Sequence, residues 1–455
     1  MQIEKVVIIG GGLSGALAAM RLAELEHGPE ITLLEKDPEK LGRGVAYQQE
    51  FTHQPLNVVA ANMSLFSGKP DDFVKWLEEN AFRYNHLIKN ISATSFVPRK
   101  IFGDYLVERL KEVHDRMEGR FQIRIDEAIS ILGTGKNKTV VLSSGVTLQA
   151  SKVILALGNF PPADILEEHK DVKSDPRYFS NPWTDKVYHN IKGDEHILLM
   201  GTGLTAVDVV LGLHVRNFTG KILMLSRSGR LPLPHYISSQ KYTWDAPYLL
   251  PPGALFKAIT ACIKNNPDVP WPLILDSIRP YTQKIWSFWS AEQKVVFLKR
   301  FRPFWEIARH RIPNQTAEVL NTLMKAGTLK ISKGKLVSTV KNEHGFATVF
   351  KNPEGEKTII FQKIINCTGP ESNYRKIKFP IIRDLIERGK VVPDALGLGI
   401  SCTEDGRIIN KDQQIEEGMW CVGPMRKAAL WETTALKEIR DQVEGLVKSM
   451  QEVTA

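Results

Sequence analysis

A chain of 455 residues is too long for one ordinary hydrophobic core, and domains of about 100 to 200 residues predict two or three of them. Its 43% hydrophobic and 24% charged content is that of a globular chain, and no apolar run approaches the roughly 20 residues of a membrane span. The formal charge of +9 is spread among interleaved acids, which argues against a nucleic-acid footprint and leaves room for anionic dinucleotides or an acidic small substrate.

The chain opens on "IEKVVII", residues 3–9, which reads as a short buried strand. "GGGLSG" follows, then "SGALAAMRLAELE" with the apolar spacing of a helix, then "EITLLEK" as a second strand. No basic and apolar leader precedes this βαβ unit, so a cytoplasmic location is expected. Gly10, Gly12 and Gly15 form G-x-G-x-x-G between strand and helix. The first permits the tight turn, the second lets backbone approach a pyrophosphate, and the third lets helix and strand pack closely. The helix start, with Leu13 and Ser14, offers free amides to phosphates. Glu35, flanked by Lys36, would accept hydrogen bonds from a ribose 2′-hydroxyl, which suits an adenosine without a 2′-phosphate. In the long loop "LGRGVAYQQEFTHQPLNVVAANMS", glycines and small residues allow close approach to a cofactor. Gly44, Val45, Ala46, Tyr47, Asn57, Met63 and Ser64 therefore join the candidate set. "PDDFVKWLEE" then starts a helix with an aspartate cap.

"FQIRIDEAISI", "TVVLSS" and "KVILALGN" read as an antiparallel meander feeding back into the sheet, ending at Gly158. A second βαβ unit runs from "HILLM" through "AVDVVLGLHV" to "GKILMLSRS". Gly201, Gly203 and Ala206 give G-x-G-x-x-A, with Leu204 and Thr205 at the helix start. Ser226 and Arg227 stand where the first unit has its acid. An arginine there pairs with a 2′-phosphate, so this loop reads as a site for NADPH; the alternative is a surface arginine that merely ends a strand. Two dinucleotides that differ at the ribose suggest FAD at the first loop and NADPH at the second, and hence a hydride relay.

Residues 236–326 read as helices, with Trp271, Trp286, Phe288, Trp289, Phe297, Phe301, Phe304 and Trp305 at bundle-core spacing; the segment would form a lid or pocket wall. Strands resume at "TLKIS", "KLVSTVKN", "FATVFK" and "KTIIFQKIINCTG", the last leading to Gly369. The strand-glycine elements at Gly158 and Gly369 bracket an inserted module. "GMWCVGP" ends in Gly423 and Pro424 before a terminal helix. The start of that helix, around Trp431, Glu432, Thr433 and Thr434, would supply amides to the flavin pyrimidine edge; the alternative is a plain docking helix.

The expected architecture is α/β: two Rossmann-like dinucleotide-binding domains plus the helical insertion. The FAD domain would occupy 1–180 and return over 366–455, with the NADPH domain at 181–365 between them. Cys262, Cys367, Cys402 and Cys421 lack C-x-x-C spacing, so neither a disulfide framework nor a metal site is expected. His53, His235 and His310 are not singled out, and no catalytic residue is assigned.

"GRGVAY", "LNVVAANMS", "DDFVKWL", "NPW" at 181–183, "GTGLTAVDVV", "LSRSGRLPLPH", "FWEIARHRIP", "INCTGP" and "VGPMRKAALWETTALKEIR" occur in the order seen in the bacterial FAD-NAD(P)-binding protein family. The chain resembles that family nearly end to end. The resemblance implies FAD at the first loop and the "WETTA" segment, NADPH at the second loop, and kinship with the N-hydroxylating flavin monooxygenases. The redox cysteine pair of flavin disulfide reductases is missing from the loop after the second strand, and the Baeyer-Villiger fingerprint is missing before the second glycine loop. The expected reaction is oxygenation of a small nucleophile such as an amine by dioxygen, through a flavin C4a-hydroperoxide. Electron transfer to an acceptor without oxygen insertion, and a flavin-binding redox sensor, are the alternatives. Small-molecule substrate and dioxygen are the expected partners, with no nucleic acid and no membrane span; homo-oligomerisation is left open.

Overall fold

The computed structural model describes residues 4–88, 91–117, 119–238 and 240–452; Ile3, expected in the first strand, lies outside them. The chain forms two compact units, one made of everything up to Phe160 and from Glu371 onward, the other of Pro161–Pro370.

The first unit is built on a six-stranded sheet in the order Arg407–Ile409, Ile415–Cys421, Lys152–Leu155, Lys5–Ile9, Glu30–Glu35, Phe121–Ile125. Only the outer Arg407–Ile409 runs antiparallel to its neighbour. Val6 through Ile9 are all buried, which is why this strand reads as an unbroken apolar run rather than an alternating one: both faces of a parallel sheet are covered. One face carries the helix Leu13–Ala23, which packs against Arg99–Arg116 and Leu436–Glu452. The other face is covered by Ile131 and Val140 of a three-stranded antiparallel sheet and by Ile381, Ile382 and Leu385 of the helix Pro380–Glu387.

"FQIRIDEAISI" is divided between two sheets. Phe121–Ile125 extends the parallel sheet, and Ala128–Thr134 begins the antiparallel one with Asn137–Leu142 and Thr147–Ala150. Asp126 causes the break: its carboxylate accepts from the hydroxyls of Ser143 (3.0 Å) and Ser144 (2.5 Å), and a strand interior leaves no room for such a local cap.

In the second unit five parallel strands follow the order Leu329–Lys333, Lys221–Ser226, His196–Met200, Lys363–Asn366, Tyr178–Phe179. Residues 161–180, expected with the first domain, belong here because Tyr178–Phe179 pairs with Lys363–Asn366. "KTIIFQKIINCTG" also divides: Gly355–Phe361 closes an antiparallel sheet with Lys335–Asn342 and Gly345–Asn352, and Lys363–Asn366 joins the parallel one. Gln362 sits at the divide, its side chain accepting from His196 N (2.7 Å) and donating to His344 O (3.1 Å).

The helical stretch contains Pro252–Asn265, Trp271–Ile278, Thr282–Phe288, Ala291–Val296, Arg302–Arg309 and Asn314–Lys325. Two of the longer expected helices break, one at a tight turn through Pro280 and one at a wide π-type turn, Phe297–Phe301, just ahead of Pro303. Trp286, Trp289, Phe297 and Trp305 are buried together as a bundle core, whereas Phe288 and Phe304 are about half exposed (49% and 48%). The described residues contain no helix long and apolar enough to cross a membrane.

Candidate functional sites

In the first unit the glycine loop joins strand Lys5–Ile9 to helix Leu13–Ala23. Gly10 has φ +105°, and a Cβ there would stand 2.4 Å from the Ala156 carbonyl oxygen. A Cβ on Gly15 would stand 1.8 Å from the Gly10 oxygen, so only glycine lets this helix lie on this strand. Gly12 begins the helix with no side chain capping it, which leaves the first-turn amides, those of Leu13, Ser14 and Gly15, for a ligand.

The following loop is drawn over this turn. The Gly42 amide donates to the Gly11 oxygen (2.7 Å), and the Gly44 Cα lies 3.1 Å from where a Gly12 Cβ would be. Arg43 anchors it: its Nη2 donates to Asp104 Oδ1 at 2.5 Å with both side chains buried, and Lys100 Nζ (2.7 Å) and the Tyr84 hydroxyl (3.0 Å) also reach Asp104. Burial alone would raise the Asp104 carboxyl, but the bonds from Lys100 and Arg43 outweigh it and hold it below the ordinary carboxylate range. Val45, Ala46 and Tyr47 continue the loop, with Tyr47 edge-on to Phe102 at 4.8 Å. Sequence reading missed the Arg43–Asp104 pair; the arginine between Gly42 and Gly44 was the signal.

Glu35 ends the second strand with both oxygens engaged. Oε2 accepts from the Gly11 amide (2.9 Å), and Oε1 from the amides of Lys36 (3.0 Å) and Asp37 (3.2 Å). These bonds fix its orientation and leave lone pairs for a ribose hydroxyl. Lys36 turns away, pairing with Glu127 at 3.2 Å and lying 4.1 Å above the Phe379 ring.

At the far end of the unit, Gly423 (φ +89°) brings its strand end against the same helix start: a Cβ would lie 2.6 Å from the Ser14 hydroxyl. The Gly423 amide donates to Gln442 Oε1 (2.8 Å), and Pro424 opens the short turn that follows. Gln442 Nε2, Arg440 Nε and Thr433 Oγ1 are buried with no hydrogen-bond partner, although Arg440 also donates through Nη1 to the Ser64 oxygen at 2.9 Å. Buried orphan donors are costly and scarce, and three on one segment mark where a polar ligand belongs. Met63 is buried, and Ser64 spends its hydroxyl on the oxygens of Phe66 and Lys69. Asn57 is partly buried in the same loop.

Two local expectations need correction. The terminal helix runs Leu436–Glu452, so Trp431, Glu432 and Thr433 lie ahead of it. Trp431 instead ends a short turn at φ +63°, and Thr433 and Thr434 lie in the irregular segment before the helix. Asp71 does not cap the helix Asp72–Glu79, because its carboxylate is taken by Lys75 at 2.6 Å.

The second unit repeats the turn with different chemistry. Gly201 has φ +128°, and a Cβ would stand 2.3 Å from the Cys367 oxygen. Above Gly203 there is open space within 4 Å, and the helix Leu204–His214 begins uncapped, with Leu204 and Thr205 partly exposed and Ala206 buried. Ser226 ends the second strand in a hydroxyl network: Thr202 Oγ1 lies 2.9 Å away and also donates to the Arg230 oxygen (2.6 Å), and the Gly229 amide donates to Ser226 Oγ (2.9 Å). No carboxylate takes part. Arg227 is exposed and makes no ion pair among the described residues; Arg230 lies 4.7 Å from the Phe304 ring. Sequence reading missed Thr202, whose hydroxyl replaces the Gly11 amide as the tie to the strand end. Gly158 and Gly369 both take positive φ (+65° and +90°) with open space where a side chain would stand.

Among the described residues no group of three or more His, Cys, Asp or Glu side chains could hold a metal. The two units thus each present an uncapped helix start behind a glycine turn. One is backed by a carboxylate, the other by hydroxyls and an exposed guanidinium.

Residues 7–160 match the family model described as FAD-NAD(P)-binding. No curated protein matches the chain by sequence. Among solved structures it is similar to an ornithine N-hydroxylase from Kutzneria sp. 744, determined with reduced FAD, NADP+ and L-ornithine (15% identity, TM-score 0.66, all of both chains covered). It is likewise similar to the L-lysine 6-monooxygenase of Pseudomonas syringae (13%, 0.67, all of both chains). A thioredoxin reductase of Lactococcus lactis shares the fold at TM-score 0.55, with 11% identity over 99% of this chain and 98% of that one.

Proposed function

We propose that this chain is an FAD-dependent, NADPH-driven oxidoreductase, and specifically a monooxygenase that oxygenates an amine nitrogen of a small-molecule substrate. The observation that carries the reading is the difference between the two strand ends: Glu35 behind the first loop, and behind the second Ser226 with the exposed Arg227, which makes no ion pair among the described residues. A carboxylate accepts from ribose hydroxyls, and a guanidinium pairs with a 2′-phosphate, so one chain offers sites for two different dinucleotides. The similarity to solved N-hydroxylating monooxygenases supports the choice of an amine.

The first unit fits FAD on its own geometry. Gly10 and Gly15 let strand and helix close into a tight turn whose first helical amides carry no side-chain cap, and the orphaned donors of Thr433, Arg440 and Gln442 suit a polar partner. When bound, FAD supplies two-electron transfer and the reaction of its reduced form with dioxygen. The chain's part is to hold it: amides of Leu13, Ser14 and Gly15 on the pyrophosphate, Glu35 on the ribose, and the Arg43-anchored loop as a cover that keeps water out. Gly201, Gly203 and the helix start at Leu204 would cradle the NADPH pyrophosphate, with Arg227 at its 2′-phosphate.

The test is to purify the protein, identify bound flavin, and follow oxidation of NADPH and NADH with L-ornithine, L-lysine and aliphatic diamines present, measuring peroxide and hydroxylamine product. NADPH consumption coupled to hydroxylamine supports the reading. Fast anaerobic electron transfer to an acceptor without product would favour a reductase, and no flavin reduction by either nicotinamide would overturn both.

A further inference from the structure

Away from both glycine loops, four groups of the first unit meet in a buried cluster that the proposed reaction does not use. Arg426 is 1% exposed; its Nη2 donates to the Glu404 oxygen, and its Nε and Nη1 have no hydrogen-bond partner. Among the described residues no carboxylate forms an ion pair with it; the neighbouring Asp405 is held by Arg407 at 2.8 Å, by the Ser449 hydroxyl at 2.5 Å and by Thr403. A buried guanidinium without a counter-ion is too costly to leave so, and the group beside it that can carry negative charge is a sulfur. Cys402, which is partly exposed, faces both Arg426 and the fully buried Cys421. The Tyr374 hydroxyl, buried and unpartnered, lies near both sulfurs. The backbone brings the pair together: Cys402 bridges Ile408, and the Cys421 amide donates to the Gly406 oxygen at 2.8 Å. At Gly406 a Cβ would come within 3.3 Å of the Arg426 guanidinium.

We propose that Cys402 is an oxidation site, its sulfur packed beside Arg426 and poised to form a disulfide with Cys421. A hydrogen bond from Cys421 and the charge of Arg426 draw the Cys402 thiol below its ordinary range, against the opposing effects of burial and Asp405, whereas burial pushes Cys421 up. Hydrogen peroxide is the oxidant. The Cys402 sulfur attacks one peroxide oxygen, the O–O bond breaks, and hydroxide leaves to be protonated to water, which gives a sulfenic acid. The Cys421 sulfur then attacks that of Cys402; the S–O bond breaks and a second water departs with the Cys421 proton. Two thiols lose two electrons to one peroxide. The pair is distinct from the C-x-x-C arrangement of disulfide reductases, and the inference stands whether or not the chain is a monooxygenase.

The test uses the full-length protein, reduced, freed of reductant and treated with stoichiometric hydrogen peroxide across about pH 5 to 8, with peptides read by mass spectrometry. A linked Cys402–Cys421 peptide is expected, and Cys421→Ser should trap the sulfenic acid at Cys402 as a dimedone adduct. Cys402 should outpace Cys262, whose sulfur lies 3.2 Å from the Tyr242 hydroxyl, by about tenfold at the acid end, and Arg426→Gln should erase that lead. If Arg426→Gln fails to fold, the pH profile of the unaltered protein decides. An alkylation midpoint for Cys402 at or above about 8.5, or no linked peptide, overturns the proposal.

Discussion

At the scale of single residues, the two loops are told apart by what stands at one position. Glu35 is locked by three backbone amides, and Arg227 is locked by nothing among the described residues. Removing Arg227 should therefore leave the fold intact. Arg227→Ala should raise the Michaelis constant for NADPH about tenfold, roughly 1.4 kcal/mol, and leave that for NADH nearly unchanged; equal effects on both would remove Arg227 from the 2′-phosphate. Asp104 is the opposite case, since taking away its charge strands Arg43 in a buried site. Asp104→Asn should cost about 3 kcal/mol in stability and weaken flavin retention, read by thermal unfolding and flavin fluorescence. The pH dependence follows from its direction of shift. A carboxyl held low in the folded state contributes fully above its unfolded value, near about pH 4, and that contribution fades as pH falls through the folded one. The unaltered protein should lose stability below about pH 4 more steeply than Asp104→Asn does.

At the scale of elements, glycines of the two loops serve different ends. Gly15 has the Gly10 oxygen 1.8 Å from where a Cβ would go, and Gly203 has nothing within 4 Å. Gly15→Ala must push helix from strand and should lower the yield of folded, flavin-bearing protein. Gly203→Ala should fold with an unaltered melting curve and lose affinity only for the nicotinamide dinucleotide. A Gly203→Ala variant that unfolds would show that the space is not open in solution. Both turns were readable from spacing alone because glycine at fixed offsets between an apolar strand and a helix has a steric cause that acts within twenty residues. The element ends that strayed have causes that lie elsewhere. "FQIRIDEAISI" breaks because Asp126 finds Ser143 and Ser144, and "WETTA" stays outside the helix because Trp431 takes φ +63°.

At the scale of the molecule, the first unit is interrupted by the second and closes again across the gap, with Phe160 bridging Glu371 in antiparallel register. Phe160 also packs at 5.5 Å from Tyr374 and 5.0 Å from Phe379. Replacing Pro161–Pro370 by a short glycine-serine linker should therefore give a cooperatively melting unit that retains flavin and is no longer reduced by NADPH. A molten or insoluble product would mean that the first unit depends on the second.

What the sequence by itself determined is whatever has a local cause: two glycine turns, the apolar strands around them, the different chemistry at positions 35 and 227, and the resemblance that ties these together. What only the tertiary structure decided depends on residues far apart in the chain. The anchor from Arg43 to Asp104 spans 61 positions, and the contact of Gly423 with Ser14 joins the two ends of the first unit. Cys402 and Cys421, whose spacing predicted neither a disulfide framework nor a metal site, are brought together by the backbone around Ile408 and Gly406, beside the buried Arg426. Spacing along the chain reports what a segment can do alone, whereas the charge of a buried group is set by whatever the fold packs against it.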